Sequence, residues 1–139
     1  VVPFVEWVVL TGIIYVISLI FMGKGTFTRT LAAVGYGFLP LAIGSLINLV
    51  LFWYYLPGIQ VNPVKDIMDI QQASLALTNE PVFQMTTILT IIFLFWSSSI
   101  WIFGVRASRE LTLRNASITV GIPVILYLLL IFVPRVVFA

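Results

Sequence analysis

Residues 3–56 read PFVEWVVLTGIIYVISLIFMGKGTFTRTLAAVGYGFLPLAIGSLINLVLFWYYL. The stretch divides into an apolar run from Pro3 to Met22, a polar turn from Gly23 to Thr30, and a second apolar run from Leu31 to Leu56. Each run reaches the roughly 20 residues that a helix needs to cross about 30 Å of hydrocarbon. The runs are continuous and lack the two-residue alternation of a strand, and an open sheet would leave backbone groups unpaired in lipid. Two membrane helices joined by a short basic turn are the reading that decides the fold.

Further along, the same pattern recurs from Val82 to Val105 and from Ala116 to Phe138. The expectation is an all-α polytopic membrane bundle, a single domain over 1–139 with helices near 3–22, 31–56, 82–105 and 112–138. Composition agrees. With 61% hydrophobic and 9% charged residues and a mean hydropathy of +1.16, there are too few polar groups for a water-soluble domain. Pro40 and Pro123 fall inside the second and fourth runs and predict kinks or tilt there.

The chain has no cysteine and no histidine. Disulfides and thiolate metal sites are thereby excluded, and the commonest general base and metal ligand is missing. No lysine lies within a span to form a Schiff base, so no cofactor is expected. Seven cations scattered among loops do not make the basic stripe of a nucleic-acid binder. They orient the chain instead. Residues 23–30 carry Lys24 and Arg29, and residues 104–117 carry Arg106, Arg109 and Arg114. Two spans separate these loops, which places both on one side, assigned as cytoplasmic by the retention of cations there. Residues 57–81, with Lys65 against Asp66, Asp69 and Glu80, then lie outside, as do Val1 and Ala139. A chain that starts outside without a cationic flank predicts a further crossing upstream of Val1.

In the outer loop, Asn62-Pro63 marks the start of a short interfacial helix with Val64, Ile67, Met68 and Leu75 on one face. Thr78-Asn79-Glu80-Pro81 reads as the start of the third membrane helix. Trp7, Trp53, Tyr54 and Tyr55 sit at run ends, where amphipathic rings prefer the headgroup zone, whereas Trp96 and Trp101 are expected to pack deeper. Arg135 is expected to anchor the outer interface.

Gly23-Lys24-Gly25-Thr26-Phe27, Arg29-Thr30-Leu31, Gly35-Tyr36 and Pro40 together resemble the Yip domain family of membrane proteins. A common form of its motif has two glycines before the lysine and a serine before the phenylalanine; here Met22 precedes Gly23 and Thr26 replaces the serine. Trp101 to Val105, the polar turn to Arg114 and the Pro123 run resemble the last two helices of that family. The resemblance implies five helices in the full-length chain, consistent with a first crossing before Val1. It also implies a non-enzymatic adaptor. Eukaryotic members associate with Rab-type GTPases and with each other in early secretory traffic, while prokaryotic members have no settled activity. The short loops, the lack of cysteine and the Ile/Val-rich spans resemble a prokaryotic, archaeal member, so a small GTPase is expected as partner only in a eukaryote.

The Gly-Lys-Gly-Thr turn exposes N–H groups just before a helix N-terminus, where an anion is stabilised. One reading has Gly23, Lys24, Gly25, Arg29, Arg106 and Arg109 contacting partners or anionic lipid headgroups. The other has a tight interhelical turn whose cations set topology. The lysine between glycines does not match the phosphate-binding loop of nucleotide hydrolases. Within the spans, Ala33, Gly37 and Gly44 offer a narrow surface for helix packing, and Asn48, Thr86, Thr87, Thr90 and Ser97 to Ser99 offer bonds across helices. Glu6 is the one acidic residue inside a run, and is either an interface carboxylate or a group with a proton or ion role. Two functions follow. The first is an adaptor or organiser that recruits lipids, copies of itself or other membrane proteins; the second is a small transporter or an accessory subunit of one.

Overall fold

The computed structural model describes residues 2–58, 70, 72–73, 76–77 and 79–137, without the side chains of Val2, Leu56 and residues 131–137. Among the described residues there are four long helices, α1 (Val2–Ile20), α2 (Phe27–Tyr55), α3 (Pro81–Arg109) and α4 (Leu113–Val137), and a 3-10 turn at Leu56–Gly58. Each contains a stretch long and apolar enough to cross a membrane. Among the described residues there is no strand. The interfacial helix expected after Asn62-Pro63 and the side chain of Arg135 lie outside the described residues.

Hydrogen bonding, rather than hydropathy, sets the helix ends. Thr26 caps α2: its Oγ1 accepts the Arg29 N–H at 3.4 Å, and its carbonyl accepts the Thr30 N–H at 3.3 Å. Arg29 therefore belongs to the first helical turn. Pro81 occupies the first position of α3, where a missing N–H costs nothing, and the Glu80 carbonyl accepts the Phe83 N–H at 3.0 Å. Because α3 runs through Arg109, the basic segment read as a loop over 104–117 is mostly helix, and the turn itself is only 110–112. Thr112 Oγ1 then caps α4 on the Asn115 N–H at 3.3 Å.

The C-termini of α1 and α3 share a geometry. Met22 (φ 56°) and Glu110 (φ 52°) take the left-handed conformation. Beyond them, the Gly23 N–H reaches the Ser18 carbonyl at 2.9 Å and the Leu111 N–H reaches the Arg106 carbonyl at 3.1 Å. These are Schellman closures, which satisfy carbonyls that a helix end leaves open.

The chain forms two compact units, Val1–Leu39 with Trp96–Ala139, and Pro40–Phe95. In the first, α1 packs against α4, and Ile14, Val34, Val105, Ala116 and Val120 are fully buried. Trp101 of α3 lies in a notch of α2 at Gly37, where a Cβ would fall on the indole. Its Nε1–H donates to the Val34 carbonyl at 2.8 Å, and its ring meets Phe38 edge-on with centroids 5.4 Å apart. A Cβ at Gly104 would stand 3.1 Å from the Ala33 Cβ. From α1, Trp7 donates to the Leu31 carbonyl at 2.9 Å and lies against Gly35. Trp7, expected near the headgroup zone, thus also serves an interhelical contact. Trp96, expected to pack inside, is 53% exposed.

The second unit pairs α2 with α3 through residues four apart on α2, a single ridge of the helix. Gly44 abuts Phe93, where a Cβ would lie 2.8 Å from the ring. The Asn48 amide donates to Thr90 Oγ1 at 3.2 Å, and Phe52 meets Phe83 edge-on at 5.0 Å. The cross-helix bonding expected of the span hydroxyls is seen at Asn48 and Thr90. Thr86 instead donates to the Phe83 carbonyl of its own helix at 3.0 Å, the usual way a hydroxyl is satisfied in an apolar span.

Candidate functional site

The basic turn between α1 and α2 and the C-terminal end of α3 meet around Arg109. This guanidinium is fully buried. Its Nε–H donates to Ser18 Oγ at 2.8 Å, its Nη2 to the Gly23 carbonyl at 2.7 Å, and its Nη1 to the Gly25 carbonyl. The Tyr15 ring lies 4.2 Å from the guanidinium carbon. In return the Lys24 N–H donates to the Arg109 carbonyl at 2.9 Å. Every acceptor is neutral, so the charge is balanced by carbonyl dipoles, by the negative end of α3 and by the π-face of Tyr15. Bonds of this charged kind are worth roughly 1.5–3 kcal/mol each, which offsets a desolvation cost of several kcal/mol.

The glycines of the turn exist for this contact. A Cβ on Gly23 would stand 2.9 Å from the Ser18 carbonyl oxygen and 3.2 Å from Arg109 Nε. Gly25 has φ 101°, and a Cβ there would run into the Ser108 carbonyl oxygen. A side chain at either place would push the turn off α3.

This geometry divides the residues singled out in the sequence. Gly23, Lys24, Gly25 and Arg109 come together, with Arg109 as the internal clasp and Lys24 exposed. Arg109 differs from the expected headgroup contact: it is turned inward, bonded to Ser18 of α1 and to the carbonyls of the turn. Arg29 and Arg106 are exposed. Ala33, Gly37, Gly44 and Asn48 are packing positions against Gly104, Trp101, Phe93 and Thr90. Glu6 is exposed near the start of α1, about 21 Å along the helix from Ile20, and belongs to no part of the clasp. The roles of Ser18 and Tyr15 were not read from sequence, whereas Trp101 was expected to pack deep and is 3% exposed. Trp101 is the one with a usable signal, a large donor inside an apolar run opposite a small-residue helix.

Beside the clasp, α2 and α3 leave an open groove of about 720 Å³. The close approach of Ala33 and Gly104 makes its floor; Tyr36, Trp96 and Phe103 form its walls, Ala107 lines it, and Arg29 stands at one end.

Four long apolar helices, with two basic turns tied together at one end of the first unit, define a polytopic helical membrane protein. The model of the Yip1 domain family matches residues 1–133, and the chain belongs to that family. Over 50 residues it is 44% identical to an uncharacterized protein of Methanocaldococcus jannaschii. That match covers 36% of the chain and spans only 36% of the length of the curated relative. No solved structure matches the chain.

Proposed function

We propose that the chain is a non-enzymatic membrane adaptor of a prokaryotic cell membrane, with residues 23–30 and 104–117 cytoplasmic and residues 57–81 outside. Its partners are other membrane proteins or copies of itself, together with anionic lipid. The observation that carries this reading is the clasp. A buried arginine is a costly way to join two short turns, and it fixes the backbone from which Lys24, Arg29, Arg106 and Arg114 project. A surface fixed in advance loses less freedom on binding, which is what a recruiting surface requires. The archaeal source of the matched relative supports the prokaryotic placement. The Asn48 amide bonded to Thr90 supports helix packing over a polar conduit.

The test is capture of the full-length chain from its own membranes, gently solubilised, beside a variant carrying Lys24→Gln, Arg29→Gln and Arg106→Gln. The expected outcome is a defined set of partners with the parent chain, lost in the variant while its helical content is unchanged. Coupled ion flux into liposomes containing the protein alone would overturn the adaptor reading in favour of transport.

A further inference from the structure

We infer that the groove between α2 and α3 binds one acyl chain of an anionic phospholipid, with Arg29 holding its phosphate. The inference rests on the anionic-lipid part of the proposed function and adds a defined site to it, which needs no protein partner.

Shape and depth favour a lipid chain. From Ser108 to Trp96 the groove follows α3 for twelve residues, about 18 Å at 1.5 Å per residue. Half of a hydrocarbon core of about 30 Å is about 15 Å. The groove is thus as deep as one leaflet, whereas a helix from a second copy would press on both. Its volume of about 720 Å³ lies in the range of cavities that take a single ligand. The small residues of the floor leave a channel, and the exposed rings of Tyr36, Trp96 and Phe103 flank it with apolar surface.

Charge selects the headgroup. Among the described residues that line the groove, Arg29 is the single charged one. It sits in the first turn of α2, beside the positive end of the helix, where a cation is disfavoured and an anion is stabilised. A phosphate at the mouth of the groove satisfies both the guanidinium and the helix end, and its acyl chain then runs along Ala107 toward Trp96.

The test uses the full chain reconstituted in vesicles of phosphatidylcholine with a minor fraction of phosphatidylglycerol, released intact and weighed with its retained lipid by native mass spectrometry. The parent chain is expected to retain one lipid, with phosphatidylglycerol enriched several-fold over its share of the vesicle. Arg29→Gln is expected to return that ratio to the vesicle composition. Ala107→Phe, which fills the groove from an exposed position, is expected to abolish retention. A Lys24→Gln, Arg106→Gln variant is expected to behave as the parent does, and it separates this site from a diffuse basic surface. Matched helical circular dichroism shows that each variant is folded.

Retention unaltered by Ala107→Phe overturns the proposal, as does equal loss in the Lys24, Arg106 variant. A parent chain without retained lipid also overturns it and leaves the recruitment of protein partners standing. Dimers in the parent that Ala107→Phe splits would assign the groove to a second copy, against the proposal.

Discussion

Arg109 concentrates the chemistry of this chain in one side chain. Its fork reaches three acceptors that lie 84, 86 and 91 residues away in sequence, which is why hydropathy and spacing gave no sign of the contact. Two of those acceptors are main-chain carbonyls of glycines, and a carbonyl looks the same in any sequence. What the sequence did show was the need for glycine at positions 23 and 25; the structure supplies the reason, the approach of α3. Lysine is a point charge without the planar fork and cannot serve all three acceptors. Arg109→Ala is expected to destabilise the fold by about 3 kcal/mol and Arg109→Lys by nearly as much, because each leaves buried acceptors unpaired. Thermal unfolding in detergent, followed by helical circular dichroism, checks both; a lysine variant as stable as the parent would refute the fork geometry.

Among the helices, existence was legible and ends only in part: the start at Pro81 was read from its cap, whereas the start of α2 and the end of α3 were not. Four continuous apolar runs announce four helices because lipid tolerates no unpaired backbone. Their ends depend on capping side chains, so Thr26 draws Arg29 into α2 and the left-handed Glu110 lets α3 keep Arg106 and Arg109. Pairing was legible in part. Ala33, Gly37 and Gly44 stood out as a narrow face, but nothing local identified Gly104, Trp101 and Phe93 as their occupants. Two glycines in helices therefore make a contrast. Gly12 of α1 has open space where a Cβ would stand, whereas at Gly37 the Trp101 indole fills it. Gly12→Ala is expected to be neutral or to stabilise by up to about 1 kcal/mol through helix propensity. Gly37→Ala is expected to cost about 1–3 kcal/mol through overpacking. The same unfolding measurement ranks the two, and equal effects would contradict the notch.

For the chain as a membrane protein, many large apolar side chains are exposed, with Ile20 at 76% and Leu130 at 74% exposure, as suits a surface in contact with lipid. Five of the seven cations lie at or beside the two turns that the Lys24 N–H and the Arg109 carbonyl tie together, which joins the positive-inside reading to a physical contact. The resemblance to the family was carried by the same turn, whose glycines and threonine make the clasp and the cap, and membership is shown by the family match over residues 1–133. We propose that this clasped basic end faces the cytoplasm as a fixed surface, with the residues that follow α2 outside. The absence of cysteine makes the chain a ready background for testing it. Single substitutions Lys24→Cys, Arg114→Cys and Gly58→Cys, all at exposed positions, are to be probed in intact cells with a membrane-impermeant maleimide. Labelling of Gly58→Cys alone, with the other two reacting only after the membrane is opened, is the expected result. Labelling of Lys24→Cys or Arg114→Cys from outside, or of the two from different sides, would contradict the account.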